Sequence, residues 1–321
     1  MTLTVGNATV FDMNTKQKTL GEFLKQFPDN ESCKAFLEKK RWPDGVIKCP
    51  RCGEKAYRLP ARPFYYLCKS GKQSTEPETG AVLTCHKRNG YRFSVISRTV
   101  FENTNYPLIV WFRVILLMLH SKKGMSAHQI HRTMGTGSYE TAWYLCHRIR
   151  AAMQDNQFVQ LIGEVEADET WIGGLERNKH LGQRGKRAQQ GKTEVIGAIA
   201  RKGNVVCQMI EDAGFDTHEK FIRQVVSPKV SLVATDEAFH YRHLAKEGFP
   251  HNQVTHSRAE YVRGRVHTQT IESFWSLLKR GIIGNYHKVS KKYLPLYLNE
   301  FTFRFNNRKN PDIFDAIIAG C

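Results

Sequence analysis

The chain has 321 residues, of which 41% are hydrophobic and 24% charged, a composition typical of a folded globular protein. Its 48 Lys and Arg residues outnumber 30 Asp and Glu residues, and the resulting net charge of +18 favours a polyanionic partner, either nucleic acid or an anionic membrane surface. Eight cysteines are too few for a secreted disulfide scaffold, no secretory signal opens the sequence, and the longest apolar stretch, residues 107–120, is short for a membrane span and contains Arg113.

The first 100 residues divide into a helical part and a cysteine-rich part. Residues 1–43 carry apolar side chains at helical spacing, among them Leu20, Phe23 and Phe27, which predicts an N-terminal helical segment. Residues 44–100 are rich in Cys, Gly, Pro and aromatic residues and contain short strand-like pieces, which is typical of a small metal-stabilised module. We predict a zinc ribbon over residues 44–100.

The zinc-ribbon prediction depends on four cysteines. The CPRCG run at 49–53 is a knuckle whose glycine permits a tight turn behind the second thiolate, and two more cysteines follow at hairpin distances. The later pair lacks CxxC spacing, so His86 is a rival fourth ligand and Cys68 is alternatively a buried hydrophobic cysteine. A redox CxxC is disfavoured because the strand-then-helix context is missing. The predicted zinc ligands are Cys49, Cys52, Cys68 and Cys85.

Residues 101–155 return to helical periodicity and predict a helix-turn-helix. Ser126 suits the N-cap of a first helix, glycines 135 and 137 mark the break, and residues 139–153 form a second helix. The second helix of such a motif enters the DNA major groove, whereas two packed core helices joined by a glycine turn are the alternative. The residues predicted to contact DNA are Tyr139, Thr141, Tyr144, His147, Arg148 and Arg150.

From residue 160 onward strands and helices alternate. Three strands are followed by helix, strand, helix, strand and helix, the order of an RNase H-like α/β fold with a mixed five-stranded sheet and flanking helices. We assign this domain to residues 160–310 and a C-terminal tail to 311–321. The predicted strands are 164–171, 194–200, 205–210, 230–235 and 253–256, and the helices are 217–226, capped by Thr217, 239–247 and 268–279.

A polar, basic, glycine-containing stretch at 176–192 separates the first two strands and is predicted to be an exposed loop. Basic side chains in such a loop suit contacts with DNA phosphates. The loop residues predicted to contact DNA are Arg184, Lys186 and Arg187.

Three carboxylates fall at positions that suit metal-assisted phosphodiester chemistry. Asp168 lies in the first strand, Asp236 ends a short buried strand, and Glu272 lies on a helix, with 35 residues between it and Asp236. Two Mg²⁺ ions about 3.5–4 Å apart would activate the attacking oxygen and stabilise the leaving oxygen, and carboxylates are the ligands they prefer. Helix capping by the aspartates and an exposed Glu272 are the alternatives. Lys279 lies about two turns from Glu272, on the same helix face, where it could hold a phosphate.

Two further acidic residues, Glu169 and Glu237, are adjacent to the first two members of this set. In a strand successive side chains alternate between faces, so both are predicted to point away from the metal site.

These motifs resemble the DDE-type transposases of bacterial insertion sequences, in the subgroup with an amino-terminal zinc ribbon. The resemblance covers residues 23–308, and this chain departs from it in the second zinc knuckle, which normally reads CxxC. It implies an RNase H-like catalytic domain, the triad Asp168, Asp236 and Glu272 with Lys279 as an additional basic residue, two Mg²⁺ or Mn²⁺ ions per active site, and a structural Zn²⁺. It is carried by CPRCG at 49–53, DETWIGG at 168–174, TDE at 235–237, HTQTIESFWSLLKRGIIGNYHKVS at 267–290 and LNEFTFRFNNR at 298–308.

The resemblance implies a DNA transposase that binds the terminal inverted repeats of an insertion sequence, cuts phosphodiester bonds and joins the ends to target DNA. Because two ends must be held together, a homo-oligomer on DNA is expected, in a bacterial cytoplasm and associated with the nucleoid. Two other functions remain open: a DNA-binding regulator that has lost catalysis, and an RNase H-like nuclease that cleaves without strand transfer.

Overall fold

A computed structural model describes residues 17–76, 79–154, 158–173, 192–211, 214–236, 241, 244–254 and 262–321. The chain divides into two compact units, Met1–Arg113 with Asn307–Ala319 and Cys321, and Val114–Asn306 with Gly320. Among the described residues, no helix has the length and apolar character needed to cross a membrane. The domain ranges proposed from the sequence stay a prediction.

The helices and strands are named here in chain order. The helices are α1 (Leu20–Gln26), α2 (Asn30–Arg41), α3 (Leu108–His120), α4 (Ala127–Met134), α5 (Tyr139–Ala152), α6 (Phe215–Val225), α7 (Gln269–Gly281), α8 (Leu294–Asn306) and α9 (Ile313–Ala319). The strands are β1 (Tyr57–Arg58), β2 (Tyr65–Cys68), β3 (Gln73–Thr75), β4 (Val82–Thr84), β5 (Tyr91–Ser94), β6 (Glu164–Ile172), β7 (Thr193–Ala200), β8 (Val205–Ile210), β9 (Leu232–Thr235) and β10 (His251–Gln253).

The first unit combines short helices with a small antiparallel sheet. Capping boxes start α1 at Thr19 and α2 at Asp29, which satisfies backbone N–H groups that a short helix leaves exposed. Phe27 packs edge-on against Phe112 and tilted against Phe314, with ring centroids 5.0 and 5.7 Å apart, and so forms part of an aromatic core. The cysteine-rich region carries the sheet, in the order β1-β2-β5, and a separate β3–β4 hairpin.

The second unit is built on a five-stranded sheet in the order β10-β9-β6-β7-β8. Strands β6, β7 and β8 form an antiparallel meander, whereas β9 is parallel to both β6 and β10. Residues of β6 alternate between two cores, so that Val165 and Ala167 pack in one and Ile172 in the other. The mixed five-stranded sheet with flanking helices, predicted from the sequence as RNase H-like, is confirmed.

Three elements of this unit differ from the prediction. Helix α6 begins at Phe215 with Gly214 at its N-cap, so the prediction of Thr217 as the cap is wrong. In the predicted helix 239–247 the described residues are 241 and 244–247, of which 244–247 form turns, and Gly248 has φ of +85°, a conformation that ends regular helix. The last strand is His251–Gln253, two residues earlier than predicted, and residues 255–256 lie outside the described part.

Candidate active site and metal centres

Asp168 and Asp236 come together because of how β6 and β9 pair. The two strands are parallel, and their pairing ends where Glu166 faces Ala234. Strand β6 continues past this point, so the same register places Asp168 beside Asp236, which follows directly after β9. Carboxylate oxygens of Asp168, Glu169 and Asp236 all lie within 4.8 Å of one another. Three carboxylates therefore meet at the open edge of β6, by which we mean the part of this central strand that extends beyond its pairing with β9.

Helix α7 supplies the other predicted site residues. Glu272 and Lys279 line one cavity of about 670 Å³ together with Asp168 and Glu169, as the seven-residue spacing on one helix face requires. The carboxylate of Glu272 accepts a hydrogen bond from Thr268 Oγ1 at 2.7 Å. The structure thus brings Glu272 and Lys279 to the same cavity as Asp168.

The indole of Trp275 fixes the Asp168 carboxylate. Its Nε1 donates a hydrogen bond to Asp168 Oδ2 at 3.1 Å, and the ring lies over Gly197, the cross-strand partner of Asp168. A Cβ atom at Gly197 would lie 2.6 Å from the indole ring, so only glycine leaves room for Trp275 in this position. Gly197 therefore leaves room for the indole, and the indole in turn holds the Asp168 carboxylate.

The electrostatics of this cluster favour a cation. Burial, followed by repulsion from Glu169 and Asp236, raises the pKa of Asp168 to about 7. A divalent cation would offset this repulsion, and carboxylate oxygens are the hard donors that Mg²⁺ and Mn²⁺ prefer. The residues present therefore fit a divalent metal ion.

The position of Glu169 contradicts the expectation drawn from the sequence. Strict alternation along β6 was expected to turn Glu169 away from Asp168, but its carboxylate reaches both Asp168 and Asp236. Glu169 lies beyond Glu166, the last residue of β6 that pairs with β9, so none of the described strands pairs with β6 on that side at this position. Glu237, for which the same expectation was made, lies outside the described residues.

Sequence reasoning missed a buried glutamate that holds α7 in place. Glu166 Oε2 accepts hydrogen bonds from the backbone N–H groups of Thr270 at 2.7 Å and Ile271 at 3.0 Å, at the start of α7. Its Oε1 accepts a hydrogen bond from Arg201 Nε at 2.7 Å. A carboxylate here satisfies orphan donors and complements the helix dipole. Glu166 precedes Asp168 by two residues, so this contact fixes the start of the helix that carries Glu272 against the strand that carries Asp168.

The four predicted zinc ligands converge in the first unit. The Sγ atoms of Cys49, Cys52, Cys68 and Cys85 all lie within 4.8 Å of one another, and His86 is exposed. The β3–β4 hairpin lies between the last two cysteines, and its base is closed by hydrogen bonds from Gly71 N to Cys85 O and from Cys85 N to Lys72 O. An inserted hairpin therefore explains the irregular spacing, because it returns Cys85 to the side of Cys68. Four thiolates at this separation fit a tetrahedral Zn²⁺.

Replacing Cys85 by Ser is expected to remove the bound zinc, since three thiolates hold Zn²⁺ much less tightly than four. Zinc per chain, measured by elemental analysis after gel filtration, should fall from one equivalent to well below one. The matched variant His86→Ala should keep its zinc. Loss of zinc from His86→Ala with retention in Cys85→Ser would instead make His86 the fourth ligand.

The predicted DNA-contacting residues of α5 do not share one exposed face. Helix α4 is capped by Ser126 and ends at Gly135 in the left-handed conformation, and α5 follows as predicted. Tyr144 is exposed, and its hydroxyl accepts a hydrogen bond from Arg148 at 3.2 Å. Tyr139 and Thr141 are half-buried, and the loop residues Arg184, Lys186 and Arg187 lie outside the described part of the chain.

His147 and Arg150 correct the prediction for α5, because both are buried. Arg150 is 1% exposed, and its Nε lies 2.8 Å from Glu300 Oε2 on α8. His147 stacks on Trp143, with ring centroids 3.9 Å apart. The 3.6-residue repeat turns these two side chains towards α8, so they cannot contact a DNA groove.

The burial of His147 predicts a pH-dependent stability. Burial and the neighbouring Arg150 lower the pKa of His147 from 6.5 to about 4. The folded chain keeps this imidazole neutral, whereas the unfolded chain protonates it below pH 6.5, so the contribution is present above pH 6.5 and is lost as pH falls towards 4. Between pH 6.5 and 4, the unfolding free energy of His147→Phe, measured by urea titration, should fall by on the order of 2 kcal/mol less than that of wild type. The exposed variant His128→Gln should follow wild type; identical pH slopes for wild type and His147→Phe would contradict the prediction.

Two regions of the chain match known protein families. Residues 160–306 match the ISXO2-like transposase domain, and residues 28–73 match the transposase zinc-ribbon domain. A curated relative, described as an uncharacterized protein in transposable element ISH50 from Halobacterium salinarum, is 26% identical over 298 residues, which cover 88% of this chain and 92% of the relative.

Two solved structures are similar to part of this chain. One is the simian T-cell lymphotropic virus intasome in complex with PP2A regulatory subunit B56 gamma, with 12% identity, coverage of 60% of this chain and 65% of that chain, and a TM-score of 0.28. The other is a pre-cleavage Mos1 transpososome, with 11% identity, coverage of 65% and 78%, and a TM-score of 0.27. The chain thus spans slightly less than two thirds of the length of the first of these.

The two family matches together cover more than half of the chain and correspond to its two chemically distinctive regions. The zinc-ribbon match includes the first three clustered cysteines, and the transposase-domain match includes all the carboxylates of the cavity. The first match supports a structural zinc, and the second implies a divalent metal. The chain therefore carries an ISXO2-like transposase domain at residues 160–306, preceded by a transposase zinc-ribbon domain at residues 28–73.

Proposed function

We propose that the chain binds the ends of its insertion sequence and catalyses metal-dependent cleavage of phosphodiester bonds and strand transfer into target DNA. The observation that carries this proposal is the meeting of Asp168 and Asp236 at the open edge of β6, beside a cavity that Glu272 and Lys279 line. Carboxylates from two strands and a helix around one cavity are the arrangement that metal-assisted phosphoryl transfer needs.

Each residue has a defined task in this mechanism. Asp168, Asp236 and Glu272 would hold two Mg²⁺ or Mn²⁺ ions. When bound, these ions activate the attacking water or 3′-hydroxyl and stabilise the leaving oxygen. The ammonium of Lys279 holds a phosphate of the DNA strand in the cavity, and the indole of Trp275 keeps the Asp168 carboxylate in one orientation.

The same chemistry runs twice. Hydrolysis at each element end exposes a 3′-hydroxyl, which then attacks a target phosphodiester in line and displaces its 3′ oxygen. Both steps replace one phosphorus–oxygen bond by another, so no external energy source is required. Two ends must be present together for joining, so we propose a homo-oligomer on DNA, in the cytoplasm where that DNA lies.

The net charge of +18 supports binding of terminal repeats and target DNA. On α5 we assign the DNA contacts to Tyr139, Thr141, Tyr144 and Arg148, of which Tyr144 is the most exposed. Arg184, Lys186 and Arg187 are proposed to contact phosphates. The four ligands proposed for the structural Zn²⁺ are Cys49, Cys52, Cys68 and Cys85.

Cleavage of end DNA tests this proposal. Purified chain is incubated with a labelled fragment that carries the inverted repeats flanking its own gene, with Mg²⁺, Mn²⁺ or EDTA. Wild type should nick at the repeat boundary only with metal, and Asp236→Ala should be at least roughly 10³-fold slower. Glu211→Gln, at an exposed carboxylate outside the cavity, should match wild type. Binding of the ends with no cleavage under any metal would make the chain a regulator, and cleavage without joining would make it a nuclease.

A further inference from the structure

The side chain of Glu169 lies between the catalytic carboxylates and a buried histidine. One group of ligand atoms within 4.8 Å of one another comprises Asp168, Glu169 and Asp236, and a second comprises Glu169, Glu194 and His218. Glu169 is the member common to both groups, and it also lines the cavity that contains Asp168 and Glu272. It therefore connects the metal cavity with the interior of the domain.

His218 holds the Glu169 carboxylate in a defined position. The imidazole lies on α6 and is fully buried, with Nδ1 3.0 Å from the carbonyl oxygen of Gly214. That carbonyl can only accept, so Nδ1 carries a proton and Nε2 is turned towards the carboxylates. Nε2 lies 2.9 Å from Glu169 Oε1 and 3.8 Å from Glu194 Oε1. The nearer contact is made to the glutamate that reaches the cavity.

The surroundings of this pair restrict where Glu169 can go. Tyr241 is fully buried, and its ring meets His218 edge-on with centroids 5.9 Å apart. With the imidazole on the interior side, the cavity that Glu169 lines is the side on which its carboxylate can meet a cation.

We propose that Glu169 is a fourth carboxylate ligand of the divalent-metal site, with His218 as its positioning residue. The inference rests on the proposed function and adds a ligand to it. A carboxylate has two oxygens, so contact of Oε1 with His218 leaves Oε2 to bind metal. A ligand side chain that a second hydrogen-bonded group already orients binds metal more tightly, because it loses less conformational freedom when the metal binds. The competing explanation is a purely structural His–Glu pair, which would stabilise the fold without changing metal affinity.

Mn²⁺ binding distinguishes the two explanations without any DNA reaction. The full-length chain, with its ribbon loaded with zinc, is titrated with Mn²⁺ while the unbound ion is followed by electron paramagnetic resonance. Glu169→Gln keeps the size of the side chain and should raise the Mn²⁺ Kd by roughly 10–100-fold, and His218→Gln by a smaller factor. Glu194→Gln, a matched change on the other side of the same imidazole, should leave the Kd within about twofold of wild type.

A reference variant separates failure of this inference from failure of the proposed function. Asp168→Asn should abolish Mn²⁺ binding if the cavity holds metal at all. Unchanged Mn²⁺ affinity in Glu169→Gln, together with a lowered unfolding temperature and with loss of binding in Asp168→Asn, would overturn the inference and leave the proposed function intact. Unchanged affinity in both variants would overturn the metal site itself.

A second variant covers the case in which Glu169→Gln does not fold. Glu169→Cys places a thiolate at the same position, and thiolates favour soft metals such as Cd²⁺. With zinc loaded in the ribbon of both proteins, Glu169→Cys should bind one more Cd²⁺ than wild type and should show the absorbance of a cadmium–thiolate bond. Mg²⁺ should compete for that Cd²⁺. Absence of the additional absorbance, or its indifference to Mg²⁺, would show that residue 169 does not reach the metal.

Discussion

Glu166→Ala is expected to unfold the start of α7 and to abolish DNA cleavage, although Glu166 does not line the cavity that contains Asp168 and Glu272. The buried carboxylate accepts hydrogen bonds from two backbone N–H groups of α7 and pairs with Arg201. Its removal takes one of two carboxylate partners from Arg201 and leaves two helix donors unsatisfied, a loss of roughly 3–5 kcal/mol in unfolding free energy. The same change releases the helix that carries Glu272 from the strand that carries Asp168.

Urea unfolding and a cleavage assay measure the two effects separately. Glu164→Ala is the matched control, because Glu164 lies on the same strand and pairs with Arg201 and Arg265 from a more exposed position. It should lose much less unfolding free energy than Glu166→Ala and keep cleavage activity. Glu166→Gln should be intermediate, since an amide oxygen still accepts a helix N–H but carries no charge. Full cleavage by Glu166→Ala would show that α7 is positioned by other contacts.

Arg150→Ala is expected to destabilise the fold by roughly 3–5 kcal/mol, because it takes from the buried Glu300 carboxylate its nearest charged partner. Arg150 Nε lies 2.8 Å from Glu300 Oε2, and the hydroxyl of Tyr286 donates to Glu300 Oε1 at 3.1 Å. The double variant Arg150→Met, Glu300→Leu removes both charges and should recover most of the loss. Urea unfolding of the three chains measures this coupling.

Arg148→Ala, two residues away on the exposed side of α5, should show the opposite pattern. Its unfolding free energy should stay within about 0.5 kcal/mol of wild type. The number of counterions released on DNA binding, measured from the salt dependence of the affinity, should fall by about one. Weakened DNA binding by Arg150→Ala at full stability would contradict the assignment of Arg150 to the core and return it to the DNA surface.

The parts of the site that the sequence could predict depend on local pattern. Asp168 stands in an otherwise apolar strand, Asp236 ends a buried one, and seven residues of helix place Glu272 and Lys279 on one face. Each of these inferences needs only the period of one element. The CPRCG run is likewise a local turn signal, and it correctly indicated a cysteine cluster.

The parts that failed depend on contacts between distant elements. Strand alternation could not reveal that β9 ends early enough for Glu169 to reach around the sheet edge. Helical periodicity placed Arg150 and Arg148 on one helix but could not say which of them meets Glu300, 150 residues further along the chain. The closure of the β3–β4 hairpin, which restores Cys85 to the cysteine cluster, is equally invisible in the spacing of the cysteines.

Joining of a pre-cut end tests the central claim most directly, because it requires only the carboxylate cluster, metal and a 3′-hydroxyl. A labelled DNA end with an exposed 3′-hydroxyl is mixed with supercoiled target plasmid, Mg²⁺ and either wild type or Asp168→Asn. We predict a covalent end–plasmid product for wild type that disappears with EDTA and with Asp168→Asn, although both proteins bind the end equally. Joining by Asp168→Asn at the wild-type rate would contradict the claim that the carboxylates at the open edge of β6 perform the chemistry.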